Sequence, residues 1–499
     1  MNQKLYQELV DREKERGLLS SLLELAEWDE STYMPKKGGP LRGEQKAYLA
    51  KKQHALLSHE RTGELLHELE ASSWLKEHGL ERANVRGIRR AYDQAVKIPP
   101  RLIEELARLS TPSVEAWTEA RRLSEFELFE PYLEKMIALR REVAKALGYK
   151  VSPYDALMDL YEPGATTAEI RPLFATMKKE IGSLLDRVGK SSRRPRGEIF
   201  ERDYPIAQQE NLSKLAMTAL GYDLDAGRLD LTTHPFCRGM NPGDVRITTR
   251  YDLKDVRDGL FSTIHEAGHG MYEQGLRPDQ WPLPVGKHCS MGIHESQSRL
   301  WENMVARSEA FWEFFFPKMR ELFPSALQDV SQEQFVFAVN GVERSFIRTE
   351  SDEVTYNLHI ILRFELEEAL IKGDLQAKDV PTAWNEKFES IFGMVPPKSA
   401  MGCLQDIHWS CGDFGYFPTY TLGNLYAAQW MECARAALPA LEDDFRRGDF
   451  ARLKNWLATN IYVEGQRMLP DELCNKIAGN DLSPEPLLAH LRRKIDRFY

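Results

Sequence analysis

The chain has 499 residues, of which 42% are hydrophobic and 28% charged, and its formal net charge is −10 at pH 7. This composition is typical of a globular protein with a large core, and the acidic balance excludes the basic footprint of a nucleic-acid-binding protein. A run of about 18 apolar residues is absent, so the sequence predicts no membrane span and no membrane partner.

Helical periodicity dominates the chain. Four long stretches carry apolar residues three and four positions apart, as amphipathic helices do: residues 5–30, 298–323, 358–374 and 426–449. The sequence therefore predicts a mainly α fold with a large helical body. In chain order between the first two stretches, Ser191 to Pro205 is predicted to be an exposed linker.

One region differs from the rest of the chain in composition and periodicity. From Tyr222 to Tyr251 the chain is rich in Gly, Asp, Thr and Pro, and "DVRITTRY" (244–251) alternates β-branched and polar residues. This alternation is typical of a strand, and "TTHPF" (232–236) is the candidate partner. We therefore expect a small antiparallel β-sheet just before the helix that follows.

The following stretch, "FSTIHEAGHGMYEQG", contains His265 and His269 four residues apart, with Glu266 directly after the first histidine. Positions i and i+4 share one face of a helix, so both imidazoles can bind one metal ion. Glu266 is one position round the helix, where it can reach a water on that metal. The metal lowers the pKa of the water, and the glutamate takes its proton.

The surroundings of this motif favour a metal site over a structural histidine pair. A chance match to the pattern in this chain has a probability of about 0.03. The apolar side of the predicted helix is formed by Leu260, Phe261, Ile264 and Met271, and Gly275 is a plausible stop signal. The small residues Ala267 and Gly268 leave room for a second chain segment or a substrate.

A catalytic zinc site needs a third protein ligand and an open position. The metzincin class would need a glycine at position 272 and a histidine at position 275, but the chain has Tyr272 and Gly275. The next dense cluster, "HESQSRLWEN" (294–303), offers both His294 and Glu295. Two neighbours cannot both face the metal from one helix, and the spacing leaves the choice between them open.

Five stretches together resemble the M32 metallocarboxypeptidases, the thermostable carboxypeptidase type. They are "DVRIT" (244–248), "HEAGH" (265–269), "HESQSR" (294–299), "IRTESDEVTY" (347–356) and "GCLQDIHW" (402–409). The stretches "WDESTYMP" (28–35) and "YFPTYTLGN" (416–424) also look like this family. The resemblance runs through the whole chain and is far more specific than the histidine motif alone.

This resemblance implies that His265, His269 and Glu295 are the metal ligands and that Glu266 is the general base. It also implies one peptidase domain over residues 1–499, with the metal-site region at about 222–424 and a small sheet beside the motif helix. The implied fold is almost wholly helical, with a deep substrate groove. The implied cofactor is one divalent metal per chain, zinc first and cobalt as the alternative, and the implied assembly is a homodimer.

A carboxypeptidase must also hold the free carboxylate of its substrate, for which an arginine fork is the natural partner. The candidates are Arg348 and Arg246, with Asp244 and Thr248 as residues that orient the contact. A structural salt bridge is the alternative for either arginine, with Asp352 or Glu353 beside Arg348 and with Asp244 beside Arg246.

His408 and Tyr420 are the candidates for contacting the tetrahedral oxyanion, and core packing is the alternative for both. The predicted function is metal-dependent removal of C-terminal residues from peptides with broad specificity. An endo-acting oligopeptidase with the same motif is the main alternative. A non-catalytic helical binding protein is less favoured, because Glu266 is intact.

The predicted compartment is the cytoplasm. The N-terminal segment is charged and lacks the apolar centre of a signal peptide. Six cysteines without a CxxC pair, in a chain of this length, do not form a disulfide framework. These features predict a reducing environment, with peptides as the partners.

Overall fold

The computed structural model describes residues 2–499, and most of its regular structure is helical. The first half contains α1 (Asn2–Thr32), α2 (Gly39–Leu57), α3 (Glu60–Glu70), α4 (Trp74–Glu77), α5 (Gly79–Lys97), α6 (Pro100–Leu123), α7 (Glu130–Leu147), α8 (Pro153–Met158), α9 (Thr167–Lys190), α10 (Ile206–Leu220), β1 (Gly227–Leu231), β2 (Cys237–Asn241), β3 (Asp244–Thr249) and α11 (Val256–Gly275). This agrees with the predicted mainly α fold.

The regular structure of the second half is helical. It contains α12 (Met291–Arg299), a π-helical segment (Leu300–Val305), α13 (Glu309–Leu322), α14 (Pro324–Leu327), α15 (Gln332–Val339), α16 (Tyr356–Lys372), α17 (Val380–Phe392), α18 (His408–Cys411), α19 (Pro418–Ala437), α20 (Leu441–Arg447), α21 (Ala451–Asn460), α22 (Pro470–Ala478) and α23 (Glu485–Phe498). Among residues 2–499, no helix combines the length and the apolar character needed to cross a membrane.

Two of the four predicted amphipathic stretches form one helix each, and two are interrupted. Residues 5–30 lie within α1, and α16 covers nearly all of 358–374. The stretch 298–323 breaks before α13, because the Ser308 side chain accepts a hydrogen bond from the Phe311 backbone N–H at 3.1 Å and caps a new helix. The stretch 426–449 breaks between α19 and α20, where Pro439 has no N–H to continue a helix.

The described residues divide into two compact units. The first combines the segment ending at Val96 with Pro195–Val339 and Tyr426–Asp481, and the second combines Lys97–Arg194, Asn340–Leu425 and Leu482–Tyr499. Each unit is therefore assembled from three stretches that are far apart in sequence. The chain passes from the second unit to the first between Arg194 and Pro195, inside the segment predicted to be a linker.

The small sheet lies in the first unit, directly before α11 in sequence. Its strand order is β1-β3-β2, with β1 parallel and β2 antiparallel to β3. The sequence-based prediction of an antiparallel sheet was therefore wrong in one pair. The β2 strand returns the chain, so β1 and β3 point the same way. Residues 232–236, predicted to be the partner strand, mainly connect β1 to β2.

Helix α11 carries the histidine motif and is held on several sides within the first unit. It packs against α10, α12, β2 and β3. Its buried side chains include the predicted apolar set Leu260, Phe261, Ile264 and Met271, and the helix ends at Gly275 as predicted. The helix begins after Asp255, whose side chain accepts a hydrogen bond from the backbone N–H of Arg257 at 2.9 Å.

Candidate functional site

Three side chains of the types that bind metal ions converge in the first unit. His265 and His269 lie one turn apart on α11, with ring centroids 4.9 Å apart, and Glu295 reaches them from α12. The Glu295 Oε2 atom is 3.7 Å from Nε2 of His265 and 3.3 Å from Nε2 of His269. A tetrahedral metal bound at about 2.0–2.1 Å separates its ligand atoms by roughly 3.3 Å. The donor set therefore fits a divalent metal ion in both chemistry and spacing.

The close approach of α11 and α12 depends on Gly268. A Cβ atom at this position would lie 2.7 Å from the Gln297 carbonyl oxygen and 2.7 Å from the Ser298 Cα atom. Only a residue without a side chain fits there. The sequence-based expectation that a small residue admits a second chain segment is confirmed, and that segment is the helix that carries Glu295.

A second layer of polar contacts orients the three side chains. Glu302 Oε2 lies 2.9 Å from Nδ1 of His265, so its carboxylate accepts that N–H, and Nε2 is the ring nitrogen that faces Glu295. Arg299 donates from Nε to Glu295 Oε1 at 2.6 Å and from Nη1 to Glu302 Oε2 at 3.3 Å. The Ser298 hydroxyl donates to Glu295 Oε2 at 3.1 Å. The π-helical segment places Glu302 for this contact, and such segments are frequent at functional sites.

The electrostatics of this cluster favour cation binding. Burial lowers the pKa of His269 to about 3, so its imidazole is neutral and offers a lone pair. Burial opposes ionisation of Glu295, but Arg299 and His265 outweigh it and hold its pKa well below the usual range. Burial raises the pKa of Glu266 to about 7, and the carboxylates of Glu295 and Glu302 add to this. A bound cation would favour the ionised form of Glu266.

Arg246 lies on β3 in the first unit. Its guanidinium donates from Nε and Nη2 to the two carboxylate oxygens of Asp244 at 2.8 and 2.9 Å, and it stacks over the Trp28 ring at 4.2 Å from the centroid. Asp244 thus orients Arg246 as the sequence suggested. Thr248 does not contribute to this contact, because its buried hydroxyl bonds the backbone of Phe236.

The other three predicted substrate-binding residues form one cluster in the second unit. Arg348 is buried, and its Cζ atom lies 5.0 Å from the centroid of the Tyr420 ring. Nε2 of His408 is 3.1 Å from the Tyr420 hydroxyl. Burial lowers the pKa of His408 to about 3, so the ring is neutral.

The partner of Arg348 is a residue that the sequence reasoning did not consider. Its Nε and Nη2 both donate to Asp406 Oδ1, at 3.0 and 2.9 Å, and its Nη1 donates to the Tyr356 hydroxyl at 2.9 Å. Nε of Arg363 donates to the other Asp406 oxygen at 2.7 Å. Two buried guanidinium groups thus share one carboxylate, which leaves a positive charge in excess.

The neighbours that sequence suggested for an Arg348 salt bridge have other roles. Asp352 accepts hydrogen bonds from the backbone N–H groups of Val354 and Thr355 at 2.8 and 3.1 Å. Glu353 pairs with His490 at 2.8 Å and with Lys494, both on α23. Although both carboxylates are close to Arg348 in sequence, the backbone turn at 352–355 directs them toward these other partners and not toward Arg348.

Comparison with known proteins agrees with this geometry. The profile of the Carboxypeptidase Taq (M32) metallopeptidases matches residues 8–495. The chain belongs to this family. It is therefore an enzyme, a metallocarboxypeptidase, as the sequence predicted, and the family works with a divalent metal.

The M32 relatives match over their full length. The chain is 46% identical over 505 aligned positions to Thermostable carboxypeptidase 1 of Thermus thermophilus, covering 99% of each chain. It is 38% identical over 493 positions to Carboxypeptidase 1 of Bacillus subtilis, covering 99% of this chain and 98% of that one. The M32 carboxypeptidase of Deinococcus radiodurans R1 superposes with a TM-score of 0.96 at 37% identity, covering 99% of each chain.

Two supporting carboxylates of this M32 chain were missed at the sequence level. Glu302 lies seven residues past Glu295, a spacing that returns to the same face of a helix and could have identified it. Asp406 lies inside "GCLQDIHW", a stretch already singled out, but 58 residues separate it from Arg348. A periodicity argument cannot connect residues across that distance.

Proposed function

We propose that this metallocarboxypeptidase hydrolyses the last peptide bond of peptides with a free C-terminus and broad side-chain preference. In this proposal residues 1–499 act as one peptidase domain, His265, His269 and Glu295 bind the metal, and Glu266 is the general base. The convergence of three potential metal donors within 4.8 Å of one another, two of them on the helix that also carries the buried Glu266, is the observation that supports it.

Each residue has a distinct part in the proposed reaction. When bound, a divalent metal supplies a Lewis acid that polarises the scissile carbonyl and lowers the pKa of a water molecule. Glu266 takes the proton from the attacking water on its carboxylate and delivers it to the leaving amine. Its burial helps, because a carboxylate with a pKa nearer 7 is ready both to take and to release a proton. Glu302 and Arg299 hold His265 and Glu295 in position.

The carboxylate anchor in this proposal is Arg348. Arg348 and Arg363 share a single partner carboxylate in a buried cluster, so an additional anion is electrostatically favourable there. Arg246, in contrast, forms a bidentate salt bridge with Asp244, which already balances its charge. It is the alternative anchor. The neutral His408 and the Tyr420 hydroxyl are proposed to donate hydrogen bonds to the oxygen that becomes negatively charged during the reaction.

Zinc is the proposed metal, with cobalt as the alternative. Two imidazole nitrogens and one carboxylate oxygen suit borderline divalent ions of this kind better than magnesium or calcium, which prefer all-oxygen sites. Metal analysis of the purified protein, followed by chelation and reloading with each ion, tests this assignment.

The proposal is tested with pairs of identical peptides that carry a free or an amidated C-terminus. The wild-type enzyme should release single residues from the free peptide and leave the amidated peptide intact. Internal cleavage of the amidated peptide would replace the proposal with the endo-acting alternative. Serial products released over time, identified by mass spectrometry, distinguish the two patterns directly.

The anchor is tested with Arg348→Ala, Arg348→Lys and Arg246→Ala on the same peptides. Loss of a charge-assisted contact should lower kcat/KM of Arg348→Ala on the free peptide by about 10- to 100-fold and remove its preference over the amide. Arg348→Lys should retain only part of the wild-type kcat/KM and of the preference for the free peptide, because an ammonium group does not reproduce the bidentate guanidinium contact. If the preference survives in Arg348→Ala and disappears in Arg246→Ala, the anchor is Arg246.

We also propose that the enzyme is a homodimer. Several large apolar side chains in the first unit are more than half exposed, and they include Leu18 and Leu22 on α1 and Leu41 and Tyr48 on α2. Within each helix the pair lies four or seven residues apart and shares a face. Exposed apolar surface of this kind often marks an interface. Sedimentation of the wild type and of Leu18→Ser/Leu22→Ser tests both the assembly and this location.

The proposed compartment is the reducing cytoplasm. All six cysteines of the chain are free thiols, and burial raises the pKa of Cys237 and Cys403, which keeps these two in the unreactive protonated form. Thiol titration of the unfolded protein should give the same six groups with and without reductant, and the native protein should give fewer because several of the thiols are buried.

A further inference from the structure

A second group of metal-binding side chains lies beside the first. Glu273, His288 and His294 place one donor atom each within 4.8 Å of one another. The Oε1 atom of Glu273 is 2.9 Å from Nδ1 of His288 and 2.9 Å from Nε2 of His294. This group shares no residue with the cluster of His265, His269 and Glu295.

The two groups arise from the same pair of helices. On α11 the residues His265, His269 and Glu273 are spaced by four, so Glu273 continues the face that carries the two motif histidines. On α12 the neighbours His294 and Glu295 point to different groups. Glu295 faces the first group, at 3.3 Å from His269 Nε2, and His294 faces the second, at 2.9 Å from Glu273 Oε1, which favours Glu295 as the third ligand of the first group.

We propose that Glu273, His288 and His294 form a second divalent-cation site for a borderline metal such as zinc or cobalt. Two imidazoles and one carboxylate are the ligand types that such ions prefer. Without a cation, each ring forms a hydrogen bond to Glu273 through the nitrogen that would face the metal. With a cation, each ring proton moves to the other ring nitrogen, and the donor atoms separate by a few tenths of an ångström to reach roughly 3.3 Å.

The surroundings of the second site are negative, which favours a cation. Glu24 on α1 interacts electrostatically with Glu273 and His288, and Glu27 lies close to Glu24. The guanidinium of Arg238 contacts this pair, at 3.4 Å from Glu24 and 3.3 Å from Glu27. The pKa of Glu24 is raised, first by burial and then by the neighbouring carboxylates. A bound cation would relieve this accumulation of negative charge.

The second site is more exposed to solvent than the first, and we expect it to bind a cation more weakly. The His288 side chain is 36% exposed, compared with 18% and 12% for the two motif histidines. The His294 ring stacks on His269 with centroids 4.4 Å apart and an interplanar angle of 20°. The two cations would therefore be near neighbours, and their mutual repulsion should make the second bind at least about tenfold more weakly.

The test measures metal binding, so it does not depend on the proteolytic reaction. Chelator-stripped protein is titrated with Zn²⁺ by calorimetry and with Co²⁺ by visible absorption, and equilibrium dialysis with metal analysis gives the stoichiometry. The variants are Glu273→Gln and His288→Ala. His67→Ala, which removes an exposed histidine from α3, is the matched control for adventitious surface binding.

Wild type and His67→Ala should each bind two equivalents, a tight one and a weaker one. Both Glu273→Gln and His288→Ala should keep the tight equivalent, which also shows that the fold is intact. Both should weaken binding of the second equivalent by more than about 100-fold, which is more than the loss of a residue that only supports a metal ligand would cause. One equivalent in the wild type overturns the inference. So does a second equivalent that survives in both variants or is lost in His67→Ala, because it then lies elsewhere.

Discussion

At the residue scale, the functions of the side chains near the candidate metal centre follow from burial and from one or two charged neighbours each. His269 is neutral because burial excludes its charged form, whereas Glu295 is ionised because Arg299 and His265 oppose the effect of burial. Glu266 has no such dominant cation, and burial raises its pKa. Two glutamates on adjacent helices are thus suited to different tasks, one to binding a metal and one to moving a proton.

Glu266→Gln should keep the fold and the tightly bound metal but lose activity. The amide has nearly the same shape as the carboxylate and cannot take a proton, so kcat should fall by about 10²- to 10⁴-fold or more. Steady-state kinetics together with metal analysis checks this. Glu198→Gln, which changes an exposed carboxylate, serves as the control. Near-normal turnover in Glu266→Gln would show that Glu266 is not the general base.

Glu295→Ala should lower the tightly bound metal content sharply, while His294→Ala should leave it in place. The physical reason is that only Glu295 approaches both motif histidines, whereas His294 contacts Glu273 and stacks on His269 from the side. The measurement is the metal-to-protein ratio after exhaustive dialysis, which also empties weaker sites. The reverse pattern would make His294 the third ligand.

At the element scale, the candidate metal centre depends on how closely α12 approaches α11. Ser290 caps α12 by accepting a hydrogen bond from the backbone N–H of Ile293 at 3.0 Å. The close contact at Gly268 then brings the two helix backbones together. The π-helical segment that follows rotates Glu302 back toward His265. The site is therefore a property of a helix pair, not of either helix alone.

Gly268→Ala should destabilise the protein and weaken metal binding together. A methyl group would meet the backbone of Gln297 and Ser298 at 2.7 Å, so α12 must move, and overpacking of this kind costs about 1–3 kcal/mol. Gly182→Ala on α9 is the matched control, because its added Cβ meets nothing within 4 Å. It should stabilise by about 0.5–1 kcal/mol. Thermal unfolding and metal titration of both variants test the contrast, and equal effects would contradict it.

At the scale of the whole molecule, the second unit is held by polar contacts between distant stretches of chain. Glu367 on α16 is fully buried and accepts hydrogen bonds from the Tyr154 hydroxyl at 2.6 Å, the Trp409 indole N–H at 2.7 Å and the Gly415 backbone N–H at 3.0 Å. Burial raises the pKa of Glu367 to about 7. One carboxyl group thus joins three segments of this unit.

The stability of the protein should depend on pH through Glu367. Its folded-state pKa lies above the unfolded value of about 4.3, so its contribution is full below that pH and is lost as the pH rises through 7. The loss amounts to roughly 4 kcal/mol. Glu367→Gln cannot titrate, so the melting temperature of wild type minus that of the variant should fall between pH 5 and pH 8. A constant difference would show that Glu367 does not change its protonation state.

Much of the candidate site could be predicted from local spacing, because local spacing determines which side chains share a helix face. The i, i+4 relation of His265 and His269 requires only that residues 256–275 be helical, and the apolar side of the same segment indicates this. The proposal that Glu266 is the neighbouring base follows from the same geometry. The seven family-like stretches, spread over the chain, predicted membership of the M32 family, which the comparison confirmed.

Other features were decided by the tertiary structure, because they join residues that no periodicity connects. Asp406 meets Arg348 across 58 residues, and Glu273 meets His288 and His294 only because α11 and α12 pack together. The direction of β1 relative to β3 depends on the path of β2 between them. Sequence by itself determined the mainly helical character, the motif and the family, since these rest on local sequence patterns. Which acidic group faces which cation was decided only by packing, since charge pairing acts through space.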